Sequence, residues 1–446
     1  MPTDAESSRN TRSLAPRLSL FDTTMLVMGG MVGSGIFMNP TFVARQVHTP
    51  ALILGAWVFG GIVALIGAFI YAELSSRLPE VGGQYAYLRE AFHPLVAFLY
   101  GWVLLLVVQT GGMAAVTVTF ATYFVDLTGL NVPVSVVALI ALVALTVANC
   151  LGVKSGSVLQ SVLMLLKIAA IGALVFGGTW LVQVSHFSFK PMIGEPLTPG
   201  LISAFGAAMV PVLFAYGGWQ TGCFVASELR EPRRDLPRAL LLGVTGVVVL
   251  YVAVNFACLR TLGASDLAAT NTPASAVMQL VLGRPGSVII ALGITISTLG
   301  FLSQSVLTAP RVYFAMAQDG IFFRRLAWVH PRTRVPVFAI ILQSAWTMLI
   351  VLSGSYGQIL NYVTAMDWIF FGLTASCLFI FRRRVPSGRQ FRLAFHPVST
   401  AFFCAVSWSV VANAVYTYPH DTLIGIGILA SGIPVYFVWS KLRPHG

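Results

Sequence analysis

The sequence predicts an all-α integral membrane protein of twelve transmembrane helices. The first ten form two inverted repeats of five, with the first and sixth helices broken. Three observations predict this: the composition, the recurrence of apolar runs, and two glycine-rich interruptions at corresponding places in the chain. Of the 446 residues, 57% are hydrophobic and only 9% charged, with a mean hydropathy of +0.83. Soluble domains carry about 25% charged residues, so most of this chain is not solvated by water. Apolar runs of about 17–25 residues, the length that crosses a hydrocarbon core, recur from end to end.

The twelve predicted spans cover residues 20–47, 51–74, 95–125, 134–150, 158–181 and 201–229, then 239–262, 288–317, 335–352, 359–381, 398–415 and 423–439. The third, sixth and eighth are long enough that they must tilt or protrude. Residues 1–17 read as a disordered cytoplasmic tail. Residues 18–181 make the first repeat (helices 1–5), 198–381 the second (helices 6–10), and 395–440 two additional helices, all in one membrane domain. No cleavable signal peptide is predicted, because the first apolar run is too long and no small-residue cleavage site precedes it. The longest connecting stretches are 184–199, 263–286 and 318–334, none long enough for a soluble catalytic domain. Any chemistry therefore lies inside the membrane domain.

The formal charge of +12 records topology. With an even number of spans, both termini lie on one side, and 21 of the 27 lysines and arginines fall there. The other side holds only Arg45, Lys190, Arg260 and Arg284, while Lys167 and Arg311 lie within spans. This positive-inside bias predicts a multi-pass protein of the plasma membrane (the inner membrane, in a bacterium) with cytoplasmic N- and C-termini. It argues for the lipid bilayer, and against nucleic acid, as the large partner. The five cysteines all fall in apolar spans, where free Cys behaves as a small hydrophobe. No Cys-x-x-Cys or Cys/His spacing occurs, so no metal, cofactor or disulfide is predicted.

The first span contains Met31-Val32-Gly33-Ser34-Gly35-Ile36-Phe37, and the sixth contains Phe214-Ala215-Tyr216-Gly217-Gly218-Trp219. Each opens a five-span unit, and an odd number of spans places the two copies in opposite orientations. Glycine pairs alone are weak: Gly60-Gly61, Gly111-Gly112 and Gly177-Gly178 read as close helix packing. The two interruptions differ by joining glycine to polar or aromatic residues near mid-membrane. A break frees N–H groups at the start of one half-helix and C=O groups at the end of the other. Unpaired in lipid, each costs several kcal/mol, so breaks occur where they line a cavity. The N–H groups and the positive dipole end suit a carboxylate. The carbonyls suit an ammonium. Two facing breaks thus predict a receptor for an α-amino acid.

Lys167 lies roughly 14 Å of helix beyond the start of its span. A charge at that depth costs at least about 2.5–3.5 kcal/mol. It reads either as a tether to backbone carbonyls, including those of the broken first helix, or as a desolvated amine that exchanges protons. Glu73 and Glu228, close to arginines at the inner span ends, predict gate or packing ion pairs rather than substrate contacts. Arg311 reads as a structural anchor. Asp367 either lines the pathway or pairs with an arginine. His48, His93 and His396 flank spans and read as interfacial.

At these residues the sequence resembles the amino acid–polyamine–organocation (APC) superfamily, and within it the L-type amino acid transporter branch. Gly33-Ser34-Gly35-Ile36-Phe37 resembles the first-helix signature; Tyr71-Ala72-Glu73-Leu74, Pro79, Gly82-Gly83 and the run from Tyr85 to Phe92 resemble the second helix and its loop. Phe214 to Trp219, Glu228, Pro232 and Leu236-Pro237-Arg238-Ala239 resemble the sixth helix and its exit, and Arg311 to Met316 with Asp319-Gly320 the end of the eighth. The likeness runs from Leu18 to about Pro336 and weakens thereafter.

The resemblance implies a LeuT/APC-type fold and Na⁺-independent amino acid transport by alternating access, as an exchanger or a proton-coupled symporter, not an enzyme. It implies that Gly33, Ser34 and Gly35 hold the substrate carboxylate, and that carbonyls of Met31, Phe214, Ala215 and Gly217 hold the amine. Phe214 would also be an aromatic gate. Lys167 would stand where related carriers bind sodium, with Ser303 beside it. Cationic-substrate members can carry an acid at the position of Gly217, so glycine there favours neutral side chains. A polyamine or organic-cation carrier would need acids lining the site, for which Asp367 is the main candidate. Eukaryotic members bind a glycoprotein chain through an outer-loop cysteine. Residues 126–133 contain none, so no disulfide-linked glycoprotein partner is expected.

Overall fold

A capping box starts the first helix. Ser19 Oγ accepts from Asp22 N at 3.2 Å, and Asp22 Oδ2 accepts from Ser19 N at 3.0 Å, so both donors are satisfied before the chain enters its apolar run. The computed structural model describes Leu14 and residues 16–182, 199–353, 356–384, 391–417 and 419–441. The expected tail as far as Arg12, the outer stretch 184–198 with Lys190, and Arg389 and Arg443 lie outside the described residues.

The first predicted span is two helices, α1 (Leu20–Met31) and α2 (Gly35–Val47), bent by 41°. Thr49 caps α3 (Pro50–Arg77), its hydroxyl accepting from Leu52 N, with Pro50 in the first turn where its missing N–H costs nothing. A short helix α4 (Gln84–Ala91) precedes α5 (Pro94–Val103), which runs through a π-helical turn at Leu104–Val108 into α6 (Gln109–Thr128). Then come α7 (Val134–Cys150), α8 (Val153–Phe176) with a π turn at Gly177–Leu181, and α9 (Pro199–Ala215), which stops at the second break and resumes as a 3-10 helix, Trp219–Glu228. The remaining helices are α10 (Pro232–Ala269), α11 (Pro273–Leu282), α12 (Arg284–Thr308), α13 (Pro310–Gln318), α14 (Val337–Ser353), α15 (Tyr356–Arg384), α16 (Val398–Thr417) and α17 (Pro419–Lys441).

Helix therefore lies on every predicted span. Among the described residues nine helices are long and apolar enough to cross a membrane, or ten when α1 and α2 count as one. α7 and α14, of 17 residues each, sit at the lower end of the spanning range of about 17–25. Two short helices, α4 and α11, occupy stretches expected only to connect spans. α10 also starts earlier than expected and continues past a kink at Gly263 (φ 72°, ψ 179°).

The outer face is apolar. On α7, Val136, Ile140, Val143 and Val147 share one face and are 41%, 63%, 46% and 55% exposed. A stripe of that kind suits hydrocarbon rather than water. Around the breaks, α9 packs on α2, α10 on α1, α2 and α3, and α12 on α6 and α8.

The end of the molecule that carries most of the basic residues is tied by ion pairs. Glu73, fully buried, accepts from Arg77, from Arg382 (Nη2 at 2.6 Å) and from Leu393 N at 2.8 Å. Glu228 and Arg311 pair at 2.6 Å with both side chains buried, and Arg311 also donates to Leu307 O. Arg89 bridges Asp319 and Glu80, each at 2.6 Å. Buried charges that are paired and multiply hydrogen-bonded are the tolerated kind. Arg17 N and Leu18 N both donate to Glu228 O at 2.8 Å, pinning the entering chain to the same place.

Candidate substrate site

The two breaks touch backbone to backbone. A Cβ on Gly218, whose φ is +102°, would lie 2.0 Å from Gly30 O, and one on Gly30 would lie 2.7 Å from Gly218 O. Glycine is needed at 218 on both counts, since side chains are strained at positive φ and none fits the approach. Beside this contact opens a cavity of about 410 Å³, within the usual small-molecule range of about 300–1,000 Å³. Met31, Gly33, Ser34, Gly35, Phe214, Ala215 and Gly217 all line it.

The first break presents donors. Val32 turns extended (φ −80°, ψ 92°) and α2 restarts at Gly35. Gly33 N donates to Met31 O at 3.0 Å, whereas the N–H groups of Ser34, Gly35 and Ile36 make no hydrogen bond among the described residues. The start of α2 thus offers free N–H groups and a positive dipole end to the cavity. Its carbonyls are mostly taken. Lys167 Nζ donates to Val32 O at 2.5 Å and reaches Gly29 O at 3.5 Å. Tyr251 Oη donates to Met31 O at 2.9 Å, and Ser297 Oγ to Gly33 O at 3.2 Å.

The second break presents acceptors. Gly217 N donates to Phe214 O at 3.1 Å, and Gly218 O accepts from Thr221 N and, at 2.7 Å, from Thr221 Oγ1. Gln304 Nε2 in turn donates to Thr221 Oγ1 at 2.6 Å. The carbonyls of Leu213, Ala215 and Gly217 receive no hydrogen bond among the described residues. Of the four carbonyls implied for an amine, that of Met31 already accepts from two donors, Gly33 N and Tyr251 Oη, while that of Phe214 serves one and keeps a second lone pair. Those of Ala215 and Gly217 are free. Asn39 Nδ2 donates to Pro211 O at 2.7 Å and ties the two half-helices together.

Lys167 is fully buried behind the first break rather than on the cavity wall. Its stem fits because α12 has glycine there: a Cβ on Gly300 would lie 2.6 Å from Lys167 Cε. Ser303, also buried on α12, makes no hydrogen bond through its hydroxyl among the described residues. Phe214 lines the cavity and is 41% exposed, so its ring does not seal the site in this state. Asp367 lines the cavity too, and has no ion-pair partner among the described residues. The remaining walls come from Gln109, Gly112, Val116 and Thr119 on α6, Phe301 and Gln304 on α12, and Thr364, Trp368 and Phe371 on α15.

Sequence reasoning did not find Tyr251, Ser297, Asn39, Gly300 or Gln304. Polar residues within apolar runs were the available signal for Asn39, Gln304 and Gln109. Nothing local marks Gly300 or Tyr251, whose partners lie far away in the chain.

The family profile described as amino acid permease matches residues 18–438. The chain is similar to the serine/threonine exchanger SteT of Bacillus subtilis (strain 168), with 30% identity over 96% of this chain and 98% of that protein. It is similar at 28% identity to the human large neutral amino acids transporter small subunit 2, covering 98% of this chain and 82% of the relative. The human cystine/glutamate transporter is also 28% identical, over 96% of this chain and 86% of its own length.

Proposed function

Because the chain belongs to the amino acid permease family, we propose that it carries neutral L-amino acids across the membrane by alternating access, without sodium, as an amino acid exchanger. It is a multi-span membrane transporter of that family, resembling the L-type branch, and not an enzyme. The substrate carboxylate docks on the free N–H groups at the start of α2. The ammonium docks on the carbonyls that end α9. Phe214 closes over the bound molecule.

The observation that carries this reading is the meeting of donor-bearing and acceptor-bearing helix ends at Gly30 and Gly218, beside one cavity of amino acid scale. Sodium independence rests on Lys167, whose ammonium holds carbonyls of the first break that would otherwise suit a cation. The absence of any aspartate or glutamate within Phe214 to Trp219 supports neutral substrates. The arrangement we propose is twelve crossings, with residues 18–181 and 198–381 as inverted repeats and both termini cytoplasmic. The chain acts without a disulfide-linked glycoprotein partner, since the loop 126–133 offers no cysteine.

Names among the relatives span serine/threonine, large neutral amino acids and cystine/glutamate, so the choice of side chain rests with the cavity walls. A polyamine carrier would need several acids, and Asp367 is the one acid on the wall described. The test is uptake of labelled neutral amino acids into proteoliposomes, with internal amino acid, sodium and pH gradient varied separately. Uptake that requires internal amino acid and ignores sodium is expected. Strict sodium dependence, or no amino acid uptake, overturns the reading. Uptake into empty vesicles driven by a pH gradient replaces exchange by proton symport.

A further inference from the structure

Asp367 is the one residue with an ionisable side chain on the wall of the cavity among the described residues. It lies on α15, one helical turn from Thr364 and Phe371 and beside Trp368, all of which line the same cavity. No hydrogen bond or ion pair engages its carboxylate among the described residues. Neither oxygen belongs to the fully buried polar atoms that lack a partner, so the carboxylate opens on the cavity rather than on packed protein.

Its position is as informative as its charge. The two breaks occupy one part of the cavity with main-chain donors and acceptors, which fit the α-carboxylate and α-amine that all amino acids share. Asp367 comes from another helix, α15, and shares the cavity lining with Gln109 and Thr119 of α6. An amino acid held by its zwitterion at the breaks has only its side chain left to reach this wall. A carboxylate there, among Trp368, Phe371 and Phe301, is poorly matched by a methyl group and well matched by a donor. Burying it against an apolar group would remove water without replacing its hydrogen bonds.

We infer that Asp367 is a specificity-determining residue that accepts a hydrogen bond from the substrate side chain, favouring hydroxyl-, amide- or ammonium-bearing amino acids over aliphatic ones of the same shape. This rests on the proposed amino acid transport and deepens it. It also widens the substrate class suggested by Gly217, because the acid missing from the second break is present on α15 in the same cavity.

The test uses shape-matched pairs in the proteoliposome assay: threonine against valine for a hydroxyl, and lysine against norleucine for an ammonium. Inhibition constants against a labelled substrate are compared for the wild type, Asp367→Asn and Asp367→Leu. A matched hydrogen bond to a charged acceptor corresponds to roughly tenfold or more in the threonine-to-valine ratio of the wild type. Asp367→Leu reduces that ratio to within about twofold, the level at which no net hydrogen bond is read. Asp367→Asn retains an acceptor oxygen without the charge, so it keeps part of the threonine preference and loses any lysine preference. Ratios are read within each variant, so a general fall in turnover does not affect them. If Asp367→Leu fails to insert, Asp367→Asn carries the test through the lysine-to-norleucine ratio and that of threonine to valine. Equal constants within both pairs for the wild type overturn the inference while leaving amino acid transport standing. Unchanged ratios in Asp367→Asn and Asp367→Leu, with loss only of pH-driven uptake, also overturn it by making Asp367 a proton carrier. A wild type that takes up none of these amino acids fails the transport reading itself.

Discussion

Lys167 answers a problem that the first break creates. Turning Val32 extended releases carbonyls that no helix can satisfy, and a fixed ammonium at 2.5 Å from Val32 O takes them up. Its own burial is tolerable because those carbonyls are there. Replacing it by alanine leaves the carbonyls of Gly29 and Val32 without a side-chain donor. Hydrogen bonds to a charged group contribute about 1.5–3 kcal/mol. Lys167→Ala is therefore expected to lower initial uptake at least about tenfold per inserted molecule. Uptake by purified variant in proteoliposomes, normalised to reconstituted protein, checks this. Wild-type uptake would make the lysine a bystander. Lys167 was legible in the sequence because charge in an apolar run is rare. Tyr251 was not, since a tyrosine in an apolar helix has many uses and only the fold brings its hydroxyl to Met31 O. Ser303 was expected beside the lysine, and one turn before it on α12 Gly300 lies against the lysine stem. Spacing alone did not mark that glycine.

At the scale of the elements, the two broken helices work through contact between their main chains. Asn39 reaches Pro211 O across α2 and α9, and Gly30 meets Gly218 with no side chain between them. A methyl group at 218 would have to displace α1 or the second break, and would also hold an alanine at φ +102°. Gly218→Ala is expected to abolish saturable uptake and substrate-induced thermal stabilisation. Gly172→Ala on α8 is the control, because nothing lies within 4 Å of the added carbon. Its effect on stability should stay within about 1 kcal/mol, the usual helix-interior difference. Equal behaviour of the two variants would remove the contact from the mechanism. Both breaks could be read from sequence as glycine set among polar and aromatic residues. α4 and α11 could not, because helices of eight and ten residues are too short to register as apolar runs. Their helicity comes from packing rather than from length.

At the scale of the whole molecule, the cavity extends from the breaks along α2, away from the ion pairs. Met38 and Phe42, one and two turns along α2 from the break, line the cavity, and Phe42 is 44% exposed. The pairs of Glu73, Glu228 and Arg89 gather at the end rich in arginine. On the proposed topology, with that end cytoplasmic, the cavity would open outward, and substrate release would require the paired helices to part. Orientation is checked by single cysteines placed at exposed Asn131 and exposed Arg325 in a chain whose five cysteines are replaced. An impermeant maleimide should label Asn131→Cys on intact cells and Arg325→Cys only after permeabilisation. The opposite pattern would invert the topology. Composition made the membrane class legible because it sums over the whole chain. The open side was not, because it depends on the packing of α2, α6, α9 and α15 around one space. The close approach of Gly30 and Gly218 has a last consequence. Apart from the glycines that permit the approach, a receptor built from peptide groups depends little on which side chains its residues carry, because every residue but proline supplies the same N–H and C=O. Descendants of such a chain can change diet by repainting the cavity walls while the grip on the zwitterion is inherited intact.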